Sequence, residues 1–514
     1  MITGKAIQAY SQHFNNKRKI RIENFRSLVM EEPIEIKPIT LLFGKNGSGK
    51  SSFMKAIRFL GKNLFPLKAG ATNYQIDDNT DLINFKECVG NNDISREIII
   101  EYDELLEISS SEGWNKKFDY KLSSTFFDGK EGNDFKSLIH SDKSTDNPIT
   151  IKLFPAQKNA NIDKEFVENV ALGKVSEMKE QFISVFGGSG NGYAGYPDNA
   201  LFIKREFPKA TENKWKKFFD YLDILPFANT FEDLRFTYYK SLANKLNFTK
   251  EDYEFLDDYI RKYLLIIPKL TEKFFVPFSI GPLREKPKSK YLLKGDKFQS
   301  SDYYGILNRI DEYYENYNPF YPGNKADESL DEYLSKQLSF FGLGKRILIK
   351  KKDGIGGIYV SDQDGTNYNL TESSSGLIQI LPIIINEYFN EHDVPEYNFE
   401  QKGSRLNFLE QPELHLHPSL QTQLIEFLVK NLNTYIIETH SEHIVRKLQV
   451  LIAKGYPKER VAVYYFDKNN KTGITSIKEM ELDEKGRFKE DWPDGFFDTD
   501  VQNTLDFFRE LSKN

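Results

Sequence analysis

The residues Gly44-Lys45-Asn46-Gly47-Ser48-Gly49-Lys50-Ser51 have the composition and spacing of a phosphate cradle, G-x-x-x-x-G-K-[ST]. Glycines at these offsets let successive backbone N–H groups curl around an anion, and the helix expected after them adds its dipole. Lys50 has the reach for the β- and γ-phosphates of a nucleotide, and Ser51 has the hydroxyl for a Mg²⁺ ion. A buried strand before the loop and a helix after it are the flanks this chemistry needs.

Two later segments carry matching chemistry. Arg405-Leu406-Asn407-Phe408-Leu409-Glu410 reads as a buried strand ending in a carboxylate. At the end of a parallel strand such an acid lies beside the phosphate loop, where it can hold a metal through water. Gln411-Pro412-Glu413-Leu414-His415-Leu416-His417-Pro418 follows, and Tyr435-Ile436-Ile437-Glu438 is a further strand leading to Thr439-His440-Ser441. His415 and His417 alternate and then stop at Pro418 without an H-E-x-x-H helix, so metal ligation is the weaker reading of that pair. Between these halves, Asn369 to Gln379 places Ser373-Ser374-Ser375-Gly376 at the start of a helix running into Ile380–Ile385. Hydroxyls and a glycine there read either as a helix cap or as a second anion cradle.

The elements that must position these groups crowd both ends of the chain. Lys19–Ile22, Ile34–Ile36 and Ile39–Phe43 read as strands, and Phe53, Ile57 and Leu60 fall on one face of a helix. Glu97–Tyr102 and Phe274–Ile280 read as strands, and Arg346–Val360 as a hairpin turning at Lys352-Asp353-Gly354. A helix is expected over Ser419–Leu432 and a strand over Val461–Phe466. From about Ser109 to Tyr196 the pattern is polar and broken, while Lys214–Leu270 is helical in texture. The expected organisation is therefore a head split in sequence: 1–105, an inserted mostly helical domain over 106–274, the head's second part over 275–470, and a small C-terminal domain over 471–514.

Composition narrows the class. With 28% charged residues and no apolar run longer than stretches such as Ile380–Ile385, the chain is not expected to cross a membrane. Met1–Lys19 lacks the apolar run of a signal peptide, so a cytoplasmic protein is expected. The single cysteine, Cys88, rules out an intrachain disulfide and reads as a small packed residue. Seventy basic against 76 acidic residues leave a net charge of −6, so any affinity for nucleic acid must come from local patches.

The order of motifs resembles ABC-type ATPases of the SMC, RecF and OLD group. Glu23-Asn24-Phe25-Arg26-Ser27 looks like that group's opening strand, Gly44–Ser51 its Walker A loop, and Ser374-Ser375-Gly376 stands where the ABC signature belongs. Glu410 matches the Walker B acid, His415–Pro418 the D-loop region and His440 the switch histidine. Ile280-Gly281-Pro282-Leu283-Arg284 and Trp492-Pro493-Asp494-Gly495-Phe496-Phe497-Asp498 are similar to a bacterial branch of stand-alone ATPases. Members of that branch serve in antiphage defence, as in Septu and some retron systems, beside a separate nuclease.

The resemblance implies an α/β fold, an SMC/RecF-like P-loop ATPase head with a mixed β-sheet and a largely helical insertion. It implies ATP and Mg²⁺ as cofactors. ATP would be held by Arg26, Asn46, Gly47, Ser48, Gly49, Lys50, Ser51 and Ser52, with Ser374, Ser375 and Gly376 of a second copy capping it, and Mg²⁺ by Ser51 and Glu410. Glu410, Gln411, Glu413 and His440 form the catalytic set. The partners implied are a second copy in an ATP-sandwiched dimer or larger oligomer, and a separate effector. Gln411 departs from the group, which has glutamate there as the base that activates water; an amide cannot accept that proton. Slow turnover is the consequence expected, unless Glu413 or Glu410 shares the work.

OLD-type nucleases add a Toprim domain with a glutamate and an Asp-x-Asp cluster. Here Asp467 ends its strand alone, so no nuclease activity is expected from this chain. Two basic runs, Arg284/Lys286/Lys288/Lys290 and Lys345/Arg346/Lys350/Lys351/Lys352, read either as a solvated positive surface or as a nucleic-acid backbone track. Two functions stay open: an ATP-gated sensor controlling a defence effector, and a DNA maintenance ATPase of the SMC or RecF sort.

Overall fold

The computed structural model describes residues 18–63, 85–109, 115–128, 135–141, 150–154, 202–206, 278–281, 286–292, 310, 329–352, 355–392, 406–431 and 433–492. In chain order the first elements are β1 (Arg18–Phe25), β2 (Leu28–Val29), β3 (Ile34–Ile36), β4 (Ile39–Gly44), α1 (Lys50–Asn63) and α2 (Phe85–Cys88). Strands β5 (Ile98–Ser109), β6 (Asn115–Asp128), β7 (Phe135–Ser141), β8 (Thr150–Phe154) and β9 (Phe202–Glu206) follow. The remainder comprises β10 (Phe278–Ile280), β11 (Tyr291–Leu292), α3 (Leu330–Phe341), β12 (Arg346–Lys352), β13 (Ile355–Ser361), β14 (Asn367–Asn369) and α4 (Ser375–His392). Last come β15 (Leu406–Glu410), α5 (Pro418–Leu428), β16 (Thr434–Glu438), α6 (Glu442–Ala453), β17 (Val461–Lys468) and β18 (Thr475–Glu479).

The chain divides into two compact units. The first holds 1–20, 27–58 and 273–514, and the second holds 21–26 and 59–272.

The first unit is built on a mixed sheet in the order β10-β15-β16-β4-β17-β18-β2. Strands β10, β15, β16, β4 and β17 run parallel, and β18 returns antiparallel to β17. Parallel strands are covered on both faces, which is why β4 (Ile39-Thr40-Leu41-Leu42-Phe43-Gly44) and β16 (Thr434-Tyr435-Ile436-Ile437-Glu438) are buried at every position. Asn407, in the middle of β15, is buried and satisfied: its Oδ1 accepts from the amides of Asn386 and Asn390 on α4 at 3.2 Å, and its Nδ2 donates to the Thr434 carbonyl. These bonds fix α4 against the sheet, and α4 carries Ser375 and Gly376 at its first turn.

A second, antiparallel sheet has the order β11-β13-β12, with β14 on β13. The hairpin expected over Arg346–Val360 is its centre. Alternation turns Ile347 and Ile349 towards the core and leaves Arg346, Lys350 and Lys352 on the outer face.

In the second unit β5, β6, β7, β8 and β9 pair antiparallel in succession. What is described of the insertion is therefore strand, in the stretch whose sequence pattern reads as polar and broken. Phe118, Tyr120 and Leu122 in β6 alternate with polar residues, a period-two signal hidden among Lys, Asp and Ser. The segment of helical texture, 214–270, lies outside the described residues. Cys88 is buried here, and burial pushes its thiol up to about 12, as suits a packed side chain.

Candidate functional site

Parallel strands deliver their carboxyl ends to one edge of the sheet, where α/β proteins bind ligands. Register brings four of them level: Glu410 of β15 faces Glu438 of β16, Glu438 faces Leu42 of β4, and Gly44 faces Phe466 of β17. Loop 44–51 leaves β4 at this edge and runs directly into α1, as its sequence requires.

The loop has the shape of a phosphate cradle. Gly44, Gly47 and Gly49 take φ of 142°, 75° and 105°. A Cβ at Gly44 would stand 2.2 Å from the Phe466 carbonyl oxygen, so only glycine fits between β4 and β17 there. The Ser48 hydroxyl is sealed inside the loop without a hydrogen-bond partner, a donor that an anion's oxygen would satisfy. Lys50 is buried; its ammonium donates to the carbonyls of Gly44 (2.9 Å) and Lys45 (3.0 Å) and lies 3.7 Å from Glu438. Burial lowers its pKa, opposed by the Glu438 charge. Asn46 is exposed, and Ser51 and Ser52 are half-buried at the helix start.

Two side chains that sequence reasoning missed, Glu438 and Thr475, complete this edge, and Trp492 backs it. The Ser51 hydroxyl donates to Glu438 Oε2 at 2.7 Å. Thr475, opening β18, lies 2.8 Å from both the Ser48 carbonyl oxygen and the Ser27 hydroxyl. It donates to Ser48, leaving its oxygen to accept from Ser27, and so clamps the loop from 427 residues away in sequence. Nothing in the local pattern of either segment marks that contact. Trp492 packs edge-on against Phe43, the residue before the loop, at 5.3 Å between ring centres, and against Phe488 at 4.9 Å. The tryptophan of the C-terminal motif thus supports the strand that presents the loop; Pro493–Asp498 lie outside the described residues.

The segment after β15 turns sharply. Gln411 adopts φ 44° and donates its N–H to the Glu438 carbonyl at 2.8 Å, so its side chain leaves from a tightly held backbone. The turn closes with Leu414 N–H on the Gln411 carbonyl and folds Glu413 back. Glu413 Oε1 accepts the His440 N–H at 2.8 Å, while Oε2 is enclosed without a hydrogen-bond partner of good geometry. Burial raises the Glu413 carboxyl, against the lowering effect of the His440 N–H. His440 is held at the exposed rim; partial burial and the nearby Lys50 charge lower its pKa, which favours the neutral imidazole at pH 7. Glu410 is half-buried beside these groups. Loop 44–51, Glu410, Gln411, Glu413 and His440 are therefore gathered at one edge.

Ser374 immediately precedes α4, and Ser375 and Gly376 open its first turn. Ser374 and Ser375 are exposed and Gly376 is buried, where a Cβ would meet Leu420 at 2.7 Å. The Ser374 hydroxyl accepts the Leu377 N–H as a helix cap, and the Ser375 hydroxyl lies 3.4 Å from the His415 carbonyl oxygen. The cap reading is thus seen directly, and the hydroxyl of Ser375 stays at the surface. His417 caps α5 through Nδ1, accepting the Ser419 N–H, which accounts for one histidine of the pair without a metal. Arg26 belongs to the second unit, with φ 52°, its N–H on the Cys88 carbonyl at 2.7 Å and its Nε on that of Glu87.

A phosphate loop with its lysine, a metal-competent serine and carboxylates at the ends of neighbouring parallel strands define the site of a P-loop ATPase. The chain belongs to the AAA ATPase domain family, whose model matches residues 17–445. The model of a protein family of unknown function, DUF3696, matches residues 457–506. No curated protein matches the chain. Among solved structures it is similar to the SMC head domain from Thermotoga maritima, at 11% identity and TM-score 0.33, over 91% of this chain and 99% of that one. It is also similar to the Smc head domain with a coiled coil and joint from Pyrococcus yayanosii, at 11% identity and TM-score 0.38, over 91% and 98%. Among the described residues no helix is long and apolar enough to cross a membrane.

Proposed function

We propose that this chain is an ATP-gated switch: two copies close around ATP and Mg²⁺, and the closed pair controls a separate effector, in the manner of the ATPase components of antiphage defence. The observation that carries the reading is the exposed Ser374-Ser375 pair at the start of α4, beside His415. It presents hydroxyls and a helix N-terminus outward, as a second anion site for phosphates held by another copy's loop 44–51. Within one copy, Lys50 and the loop bind the phosphates, Ser51 and the carboxylates Glu410 and Glu438 fit a Mg²⁺ ion, and His440 stands by the γ-phosphate position. Bound Mg²⁺ would neutralise charge between the phosphates. Glu413 holds the His440 backbone rather than acting on water, and Gln411 orients water without taking its proton. Turnover is then slow and the closed state long-lived, which suits holding a partner until a signal arrives. Mass measurement in solution tests this: ATP should convert the chain to a dimer or a higher even-numbered assembly. An unchanged mass at saturating ATP contradicts it.

The second reading is direct binding to a nucleic-acid backbone, and one observation favours it. The two basic runs meet on the second sheet: exposed Lys286, Lys288 and Lys290 lead into β11, which pairs with β13, and Arg346, Lys350 and Lys352 line the outer face of β12. Lys350 sits over the Tyr359 ring at 4.4 Å, which leaves a cation and an aromatic face together. Asp331 pairs with Arg346 at 3.4 Å, and both side chains lie at the surface. Replacing Lys350 and Lys352 by Glu should weaken binding of a labelled DNA duplex. The slope of log affinity against log salt should become shallower by about 0.9 for each phosphate that is no longer neutralised. Duplex binding unaffected by these changes removes the sheet from consideration.

A further inference from the structure

We infer that Glu438 is the residue that makes nucleotide binding depend on a divalent cation. Deepening the proposed ATP site, the inference rests on that reading. Glu438 ends β16, the strand between β4 and β15, and so stands nearer to the loop strand than Glu410 does in sheet order. Parallel register sets Glu410 and Glu438 side by side with their side chains on one face.

Three features of Glu438 bear on the cation. It accepts a hydrogen bond from the Ser51 hydroxyl at 2.7 Å, which leaves the lone pairs of Ser51 for a metal ion. It lies 3.7 Å from the Lys50 ammonium, so it is the carboxylate counter-ion of the lysine that ATP needs. Both side chains of that pair are almost sealed from water, at 2% and 8% exposure, so their charges are weakly screened. A phosphate approaching Lys50 and Ser51 therefore meets a fixed negative charge a few ångströms away. Phosphate and carboxylate tolerate each other there only with a cation between them. An oxygen-rich corner of Ser51, Glu438 and Glu410 suits a hard ion such as Mg²⁺.

Asn, Gln or Thr at the end of β16 would hold Ser51 equally well by hydrogen bonding. A carboxylate adds charge, and the charge is what couples the anion to the cation. The backbone of this strand end is independently secured, with the Gln411 N–H on the Glu438 carbonyl and the Thr439 N–H on that of Leu42, so the side chain can be changed without freeing the strand.

The experiment measures the affinity of the purified full chain for ATP with Mg²⁺ and with EDTA, in the wild type, Glu438→Gln and Glu438→Ala. Thermal melts with and without nucleotide report folding. Wild type should bind far more tightly with Mg²⁺. In both variants binding in EDTA should tighten and binding with Mg²⁺ should weaken, narrowing the ratio by more than about tenfold, as expected for removing a like charge at this distance. In EDTA, ATP should raise the melting temperature of the variants more than that of wild type, because phosphate replaces the missing counter-ion of Lys50. A ratio equal to that of wild type in folded variants overturns the role of Glu438 and leaves ATP binding intact. Failure of the wild type to bind ATP under either condition overturns the ATP site itself.

Discussion

Lys50→Ala should lower ATP affinity by about a hundredfold or more while the chain still folds. The lysine's ammonium is the only side-chain cation within loop 44–51 that is turned inward; Lys45 is exposed. A charge-assisted hydrogen bond is worth about 1.5–3 kcal/mol, and removing such bonds to two phosphates at once accounts for a change of that size. The fold also depends on Lys50, since its ammonium joins the Gly44 and Lys45 carbonyls to Glu438. Alanine leaves the Glu438 carboxylate buried without its counter-ion, at a cost of about 3–5 kcal/mol in stability. Against a large buried core this lowers the melting temperature without unfolding the chain. Isothermal titration checks the affinity and a thermal melt checks the fold. Full ATP affinity in a folded Lys50→Ala variant would contradict the phosphate-loop assignment.

Gln411→Glu is expected to speed hydrolysis by at least tenfold, towards the factor of about 10²–10⁴ that general-base help supplies. The substitution keeps the shape of the side chain and adds the capacity to accept a proton. Its starting geometry is set by backbone, φ 44° and the N–H bond to Glu438, so the new carboxylate leaves from the same place. Wild type should turn over below about 1 s⁻¹, the low end of ordinary enzyme rates. Glu413→Gln is the control. Its carboxyl holds the His440 N–H, so the glutamine variant should retain most of the activity that wild type has. Rapid wild-type hydrolysis abolished by Glu413→Gln would make Glu413 the base instead and end the slow-clamp account.

Much of this site is legible in the sequence because its chemistry is local. Loop 44–51 declares itself through glycine spacing, and buried β4 and β15 through runs of apolar residues, so the phosphate loop and Glu410 can be placed before any geometry is known. The same holds for the hairpin of β12 and β13, whose lysines follow Ile347 and Ile349. What escapes is contact made by topology. Glu438 reads as the last residue of an apolar strand, and only the order β15-β16-β4 puts it against Ser51. Thr475 sits in an ordinary polar segment, and only the return of β18 lays it on the loop. The insertion is obscured for another reason: in β6 the alternation of Phe118, Tyr120 and Leu122 is diluted by lysine and serine, so a period of two reads as broken polar chain.

Crosslinking decides whether ATP brings loop 44–51 of one copy onto Ser374-Ser375-Gly376 of another. Lys45→Cys and Glu372→Cys place thiols at exposed positions beside the loop and beside the signature, on separate copies. The native Cys88 is buried, with its thiol pushed up to about 12, and stays silent. With a short bis-maleimide, mixed copies should give a Lys45→Cys to Glu372→Cys crosslink when ATP and Mg²⁺ are present. The product should disappear without nucleotide and when the loop-bearing copy also carries Lys50→Ala. A crosslink of equal yield with and without ATP, or none at saturating ATP, would contradict the account.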